Sequence, residues 1–78
     1  MAGSSKLRQD LATADRHIAE AQAGIAQQAK IVHELDADGH DTTLAQDLLG
    51  VMQRNLDVMN AHRQEIVREL SRGPGQRS

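Results

Sequence analysis

Apolar residues recur at alternating steps of four and three along almost the whole chain, and that period leaves few folds open. In the first half Leu7, Leu11, Ala14, Ile18, Ala21, Ile25, Gln28, Val32 and Leu35 follow it without a break. Leu11, Ile18, Ile25 and Val32 hold one core position of the heptad, while Leu7, Ala14, Ala21, Gln28 and Leu35 hold the other. In the second half Ala45, Leu49, Met52, Leu56, Met59, Arg63, Ile66 and Leu70 repeat the alternation. A repeat of about 3.5 residues puts each set on one stripe of a helix, so the pattern predicts two long amphipathic helices. No proline interrupts either stretch, and alanine, glutamine and arginine, all good helix formers, fill the flanks. Gly24 is the weak point of the first helix, costing about 1 kcal/mol against alanine unless close packing uses its missing side chain.

Both patterns stop together at Asp36-Ala37-Asp38-Gly39-His40-Asp41-Thr42-Thr43. Gly39 can take the left-handed conformation that ends a helix, and Asp41 or Thr42 can cap the next one with a side-chain oxygen. The expectation is an all-α antiparallel two-helix hairpin of coiled-coil type. Helix one is expected over about residues 5–38, the turn over 38–41 and helix two over about 42–71. Residues 1–4 read as a frayed lead-in, with Ser4 or Ser5 as the first cap. Gly73-Pro74-Gly75 cannot continue a helix, so 72–78 reads as a disordered tail.

Folding about the turn makes the two stripes match. Leu35 falls near Ala45, Val32 near Leu48 and Leu49, Gln28 near Met52 and Ile25 near Leu56. Ala21 then meets Met59, Ala14 meets Ile66, and Leu11 meets Leu70. Small residues face large ones at the Ala21 and Ala14 layers, which lets the helices approach without voids. Arg63, at a core-type position, is expected to turn its charge outward while its stem packs on Ile18. Gln28 reads as a register or partner-choice device, a common use of a single polar core residue.

Such a hairpin does not close its own surface. Ile31, Leu44, Leu48, Val51 and Val58 lie beside the seam, towards the turn end, and an isolated hairpin would leave them wet. The chain has 78 residues and no Phe, Tyr, Trp or Cys, so aromatic anchors, disulfides and thiolate metal sites are all excluded. At this size a lone core rarely supplies more than about 3–5 kcal/mol. A second copy is the simplest cover, giving a homodimeric four-helix bundle with those five residues at its interface. An unidentified protein partner is a further possibility.

Composition narrows the function classes. The net charge is −2 and the nine basic residues are scattered, so nucleic acid is not expected as a partner. Arg63, Arg68, Arg72 and Arg77 give the only cationic run, and it sits on a fraying end. No apolar run approaches about 18 residues, so no membrane association is expected, and the start lacks the apolar core of a secretory signal. A cytoplasmic location is the expectation.

Few constellations could carry chemistry. Asp36, Asp38 and Gly39 mimic part of an EF-hand loop, but the closing position would be Ala45 instead of a bidentate glutamate. His33 and His40 flank the turn near Asp36 and Asp38. His17 and His62 fall beside one another across the hairpin, with Glu20 and Glu65 within a turn of each. These four histidines are the metal candidates, although no complete ligand set accompanies them. Two imidazoles so placed could instead respond to pH. Neither cofactor nor metal is expected. Nucleophilic catalysis is unsupported, since serines occur only near the chain ends and no glycine-rich phosphate loop is present. No catalytic residue is assigned, and the chain does not read as an enzyme.

Asp38-Gly39-His40-Asp41-Thr42, Leu48-Leu49, Met59, and His62-Arg63-Gln64-Glu65-Ile66 through Glu69-Leu70 resemble a family of short bacterial helical-hairpin proteins. The shared signature is the Asp-Gly-His-Asp-Thr turn and the His-Arg-x-x-Ile-x-x-Glu-Leu end of helix two. The resemblance implies a helical hairpin and carries over no catalytic residue, leaving the His62-Arg63 pair as a hint of a binding role. The sequence reads as a small interaction or regulatory module acting through a self-associating hairpin. The alternative is a metal- or pH-responsive bundle built on His17 and His62.

Overall fold

The computed structural model describes the chain from Ala2 to Arg72 and contains two helices, α1 (Ala2–Ala37) and α2 (Thr43–Arg72). They pack against each other as an antiparallel hairpin whose longest dimension is 62 Å. α1 starts earlier than the expected Ser4 or Ser5 cap, at Ala2. The segment before Lys6 holds no proline and no β-branched residue, and extending an existing helix by a turn is far cheaper than nucleating one. α2 runs one residue past the expected end, to Arg72, whose guanidinium reaches Glu69 one turn back. The expected disordered tail, apart from Arg72, lies outside the described residues.

The turn is built from backbone bonds. Gly39, at φ 78°, takes the left-handed position. Its N–H donates to the Asp36 carbonyl at 3.1 Å, and the His40 N–H donates to the Leu35 carbonyl at 2.9 Å. Those two bonds satisfy carbonyls that the last turn of α1 would otherwise leave without partners. Two residues later Asp41 starts α2. Its Oδ1 accepts the Thr43 N–H at 2.9 Å and the Thr43 hydroxyl at 2.7 Å. The Thr42 carbonyl accepts the first bond of the helix, from the Gln46 N–H, while the Gln46 side-chain amide donates to the Thr42 hydroxyl. Asp41 and Thr42 thus share the capping, where the sequence left either one to do it.

Every position of both stripes is buried or half-buried. The tightest part is the layer of Ala14, Ile18 and Ile66, where the short alanine lets the isoleucines close over the seam. In the middle the partners differ from the expected layers. Gln28 is buried, and its Nε2 donates to the Ala45 carbonyl at 2.9 Å instead of facing Met52. Met52 lies over Gly24, where an added Cβ would sit 3.2 Å from its Cε. A buried amide opposite a thioether would forfeit a hydrogen bond, a loss of about 1–3 kcal/mol, whereas the Ala45 carbonyl supplies one. A side chain at Gly24 would press on the Cε methyl, so the glycine leaves space for Met52 in the middle of a long helix. Arg63 is half-buried as expected, but its guanidinium is held by Asp15 across the hairpin.

Two expectations follow from the turn. A Cβ added to Gly39 would meet no atom within 4 Å, so only the backbone conformation resists a side chain there. Gly39→Val should lower stability in denaturant melts by more than the roughly 1 kcal/mol of propensity alone, and an unchanged midpoint would show that the turn does not need glycine. The Thr43 hydroxyl and N–H hold the Asp41 carboxyl below its ordinary value. A carboxylate favoured in the fold stabilises above its unfolded value and loses that contribution as pH falls through the folded one, below about pH 4. The stability difference between the wild type and Asp41→Asn should therefore shrink between about pH 7 and about pH 2.5; a constant difference would remove Asp41 from the acid response.

Candidate functional site

Helix two carries a second line of residues beside its packed seam. Moving each seam position back by one gives Leu44, Leu48, Val51, Asn55, Val58, His62, Glu65 and Glu69, again at steps of four and three. All four large aliphatics among them are exposed, Leu44 at 84%, Val58 at 68%, Leu48 at 50% and Val51 at 44%. Asn55, His62 and Glu65 lie open to solvent as well. Scattered single aliphatics on a surface are ordinary, but four at heptad spacing on one helix form a stripe. Ile31, grouped with them from the sequence, is half-buried against the hairpin, so it borders the stripe instead of standing in it. Asn55, to which the sequence pattern of the seam assigns no role, is the lone polar position between Val51 and Val58. The signal that finds it is the same alternation, displaced by one residue.

Towards the open end of the hairpin this face becomes polar. His62 and His17 come together there, as their spacing predicts, in a shallow cleft of about 210 Å³ lined also by Asp10, Thr13 and Ala14. Glu20 and Glu65, the carboxylates expected to accompany them, do not line it; Glu65 instead pairs with Arg68 at 3.2 Å. His33 is exposed on the last turns of α1, and His40, Asp36 and Asp38 stand in solvent around the turn. Among the described residues, no three His, Asp or Glu side chains stand in an arrangement that could hold a metal ion. A zinc site needs three or four ligands at about 2.0–2.2 Å. The cleft therefore offers a place where two imidazoles meet water, with a carboxylate beside them.

The basic residues towards the end of helix two are engaged. Arg63 pairs with Asp15, Arg68 with Glu65, and Arg72 with Glu69. These pairs are solvent-exposed and worth little to stability, but each puts a carboxylate beside the cation that a phosphate would need. Arg77 lies outside the described residues. No described helix is long and apolar enough to cross a membrane.

Comparison with protein-family models, with curated proteins and with solved structures finds no match to this chain.

The cleft yields a direct test. With two imidazoles and no chelating set in the protomer, zinc should leave the melting temperature nearly unchanged, whereas a ligand at about 100 times its Kd would add about 2.7 kcal/mol. Calorimetric zinc binding at micromolar concentration that disappears in His17→Ala would make the cleft a metal site.

Proposed function

We propose that this protein is a small, non-enzymatic interaction or regulatory module that acts by self-association, two hairpins forming a four-helix bundle in the cytoplasm. The observation that carries this reading is the exposed stripe of Leu44, Leu48, Val51 and Val58. Its cause lies in the geometry. Two helices packed along one line bury one stripe each, and helix two has two. The elongated shape also leaves more surface in water than a compact fold would. A compact monomer of 8.5 kDa would expose about 4,700 Å², whereas this hairpin exposes 5850 Å². Fully burying an exposed aliphatic is worth about 1.5–3 kcal/mol, and the half-covered Leu48 and Val51 would gain about half of that, still a large sum beside the small core of one hairpin.

The second reading is a metal- or pH-responsive bundle, favoured by the cleft that brings His17 and His62 together. It ranks below the first because those imidazoles are exposed and lack a third well-placed ligand. A nucleic-acid role ranks lower still, given the ion pairs that occupy Arg63, Arg68 and Arg72.

Val51→Glu tests the first reading. A carboxylate in the centre of a covered stripe must be desolvated without a partner, so the variant should sediment at lower mass than the wild type and lose helicity at micromolar concentration. A wild type that is a stable monomer across that range would end the proposal.

A further inference from the structure

Resting on the self-association reading, we infer that the second copy docks on the Leu44–Val58 stripe in parallel, with both turns at the same end of the bundle. The stripe orders its residues as Leu44, Leu48, Val51, Asn55, Val58, and then His62 and Glu65. The two-fold arrangements that bring it against itself differ in what each layer holds.

In a fully overlapped antiparallel pair the axis passes at Asn55. The asparagines then meet, and Val51 meets Val58, but Leu48 is set against His62 and Leu44 against Glu65. Two apolar layers at each end would face a titratable or charged group. If the antiparallel pair instead overlaps only at its turns, the axis passes at Val51. Leu44 then meets Val58, but Leu48 falls on Asn55 twice, and each amide is buried without a partner. The parallel pair sets every aliphatic against its own kind, and its unfavourable layers, His62 on His62 and Glu65 on Glu65, fall beyond the aliphatic run, where these exposed side chains turn to water. Leucine meets leucine at two layers and valine meets valine at two. The Asn55 amides face one another and can each donate and accept, the arrangement by which a lone asparagine fixes register in paired helices. The seam ends where His62 and Glu65 begin, so the polar cleft of Asp10, Thr13, His17 and His62 stays open to water. The segregation of aliphatics to the turn end and of titratable groups to the open end is what a parallel pair uses and a fully antiparallel pair wastes.

The chain has no cysteine, so single introduced cysteines give clean spin-label positions in the full-length protein. Arg68→Cys near the open end and His40→Cys at the turn both place labels at exposed sites away from the seam. At a rise of about 1.5 Å per residue, the parallel pair predicts a distance between copies below about 30 Å at both positions. On the same rise, the antiparallel pairs predict about 40–50 Å at Arg68 and about 30–45 Å along the axis at His40. Sedimentation of the wild type runs alongside. A dimer with short distances at both sites supports the parallel seam. A dimer with about 40 Å or more at Arg68 overturns it and leaves self-association standing. A wild-type monomer throughout the micromolar range overturns both.

Discussion

A pair of helices packed along one line has a single seam, and the fold follows from that restriction. Each helix can turn one stripe of roughly a third of its surface inward, and whatever else is apolar remains in water. Here the seam takes up both heptad stripes, yet among the described residues no large side chain reaches complete burial. The reason is the thickness of the structure, 62 Å long and only 17 by 12 Å across. With no third element above the seam, even Ile18 and Ile66 keep an edge towards solvent. Stability must therefore come from many shallow layers, each contributing little, so errors of register are penalised weakly at any single layer.

Under those conditions the polar groups set the alignment. The left-handed cap at Gly39 ends α1 sharply, and the Asp41 carboxylate starts α2 with almost no slack between them. This fixes which stripe faces which. Gln28 then acts as a pin farther up the hairpin, because its amide is buried and finds its acceptor at the Ala45 carbonyl. Sliding one helix by a turn would keep much of the aliphatic contact but leave that amide alone, and an unmet buried amide is costlier than a slightly poorer aliphatic layer. Near the open end Asp15 and Arg63 make a weaker cross-hairpin tie, exposed to water and screened by salt.

The hairpin itself was legible because its signals are local: a period that persists through each helix, and a glycine flanked by capping residues where both periods stop. The excess of Leu44, Leu48, Val51 and Val58 was legible for the same reason, since periodicity alone assigns them a direction away from the seam. The individual partners of long side chains were not. Gln28 and Met52 share a layer by counting, but Gln28 reaches the Ala45 carbonyl and Met52 lies over Gly24, so both contacts pair α1 with positions of α2 nearer the turn than counting gives. Counting positions gives the level of a Cα, whereas flexible side chains settle by hydrogen bonding and free volume. Arg63 follows the same rule, its guanidinium drawn to Asp15. The start of α1 at Ala2 escaped because Ser4 and Ser5 are good caps as well as tolerable helix residues, and composition does not choose between those roles.

The lack of aromatic residues has a further consequence for how such a module would work. An interface anchored by tryptophan or tyrosine concentrates its energy in a few positions, and those complexes dissociate slowly. A stripe of two leucines and two valines spreads a smaller energy along some four turns of helix. On the self-association reading, burying those aliphatics between copies adds to the thin seam of each hairpin, so assembly and folding are linked. Dilution then lowers the folded fraction as well as the dimer fraction, because the protomer alone retains only its thin seam. On that reading a chain built this way would respond to its own concentration, and a competing helix with a matching apolar stripe would exchange into the bundle without first having to break a rigid, aromatic-anchored core.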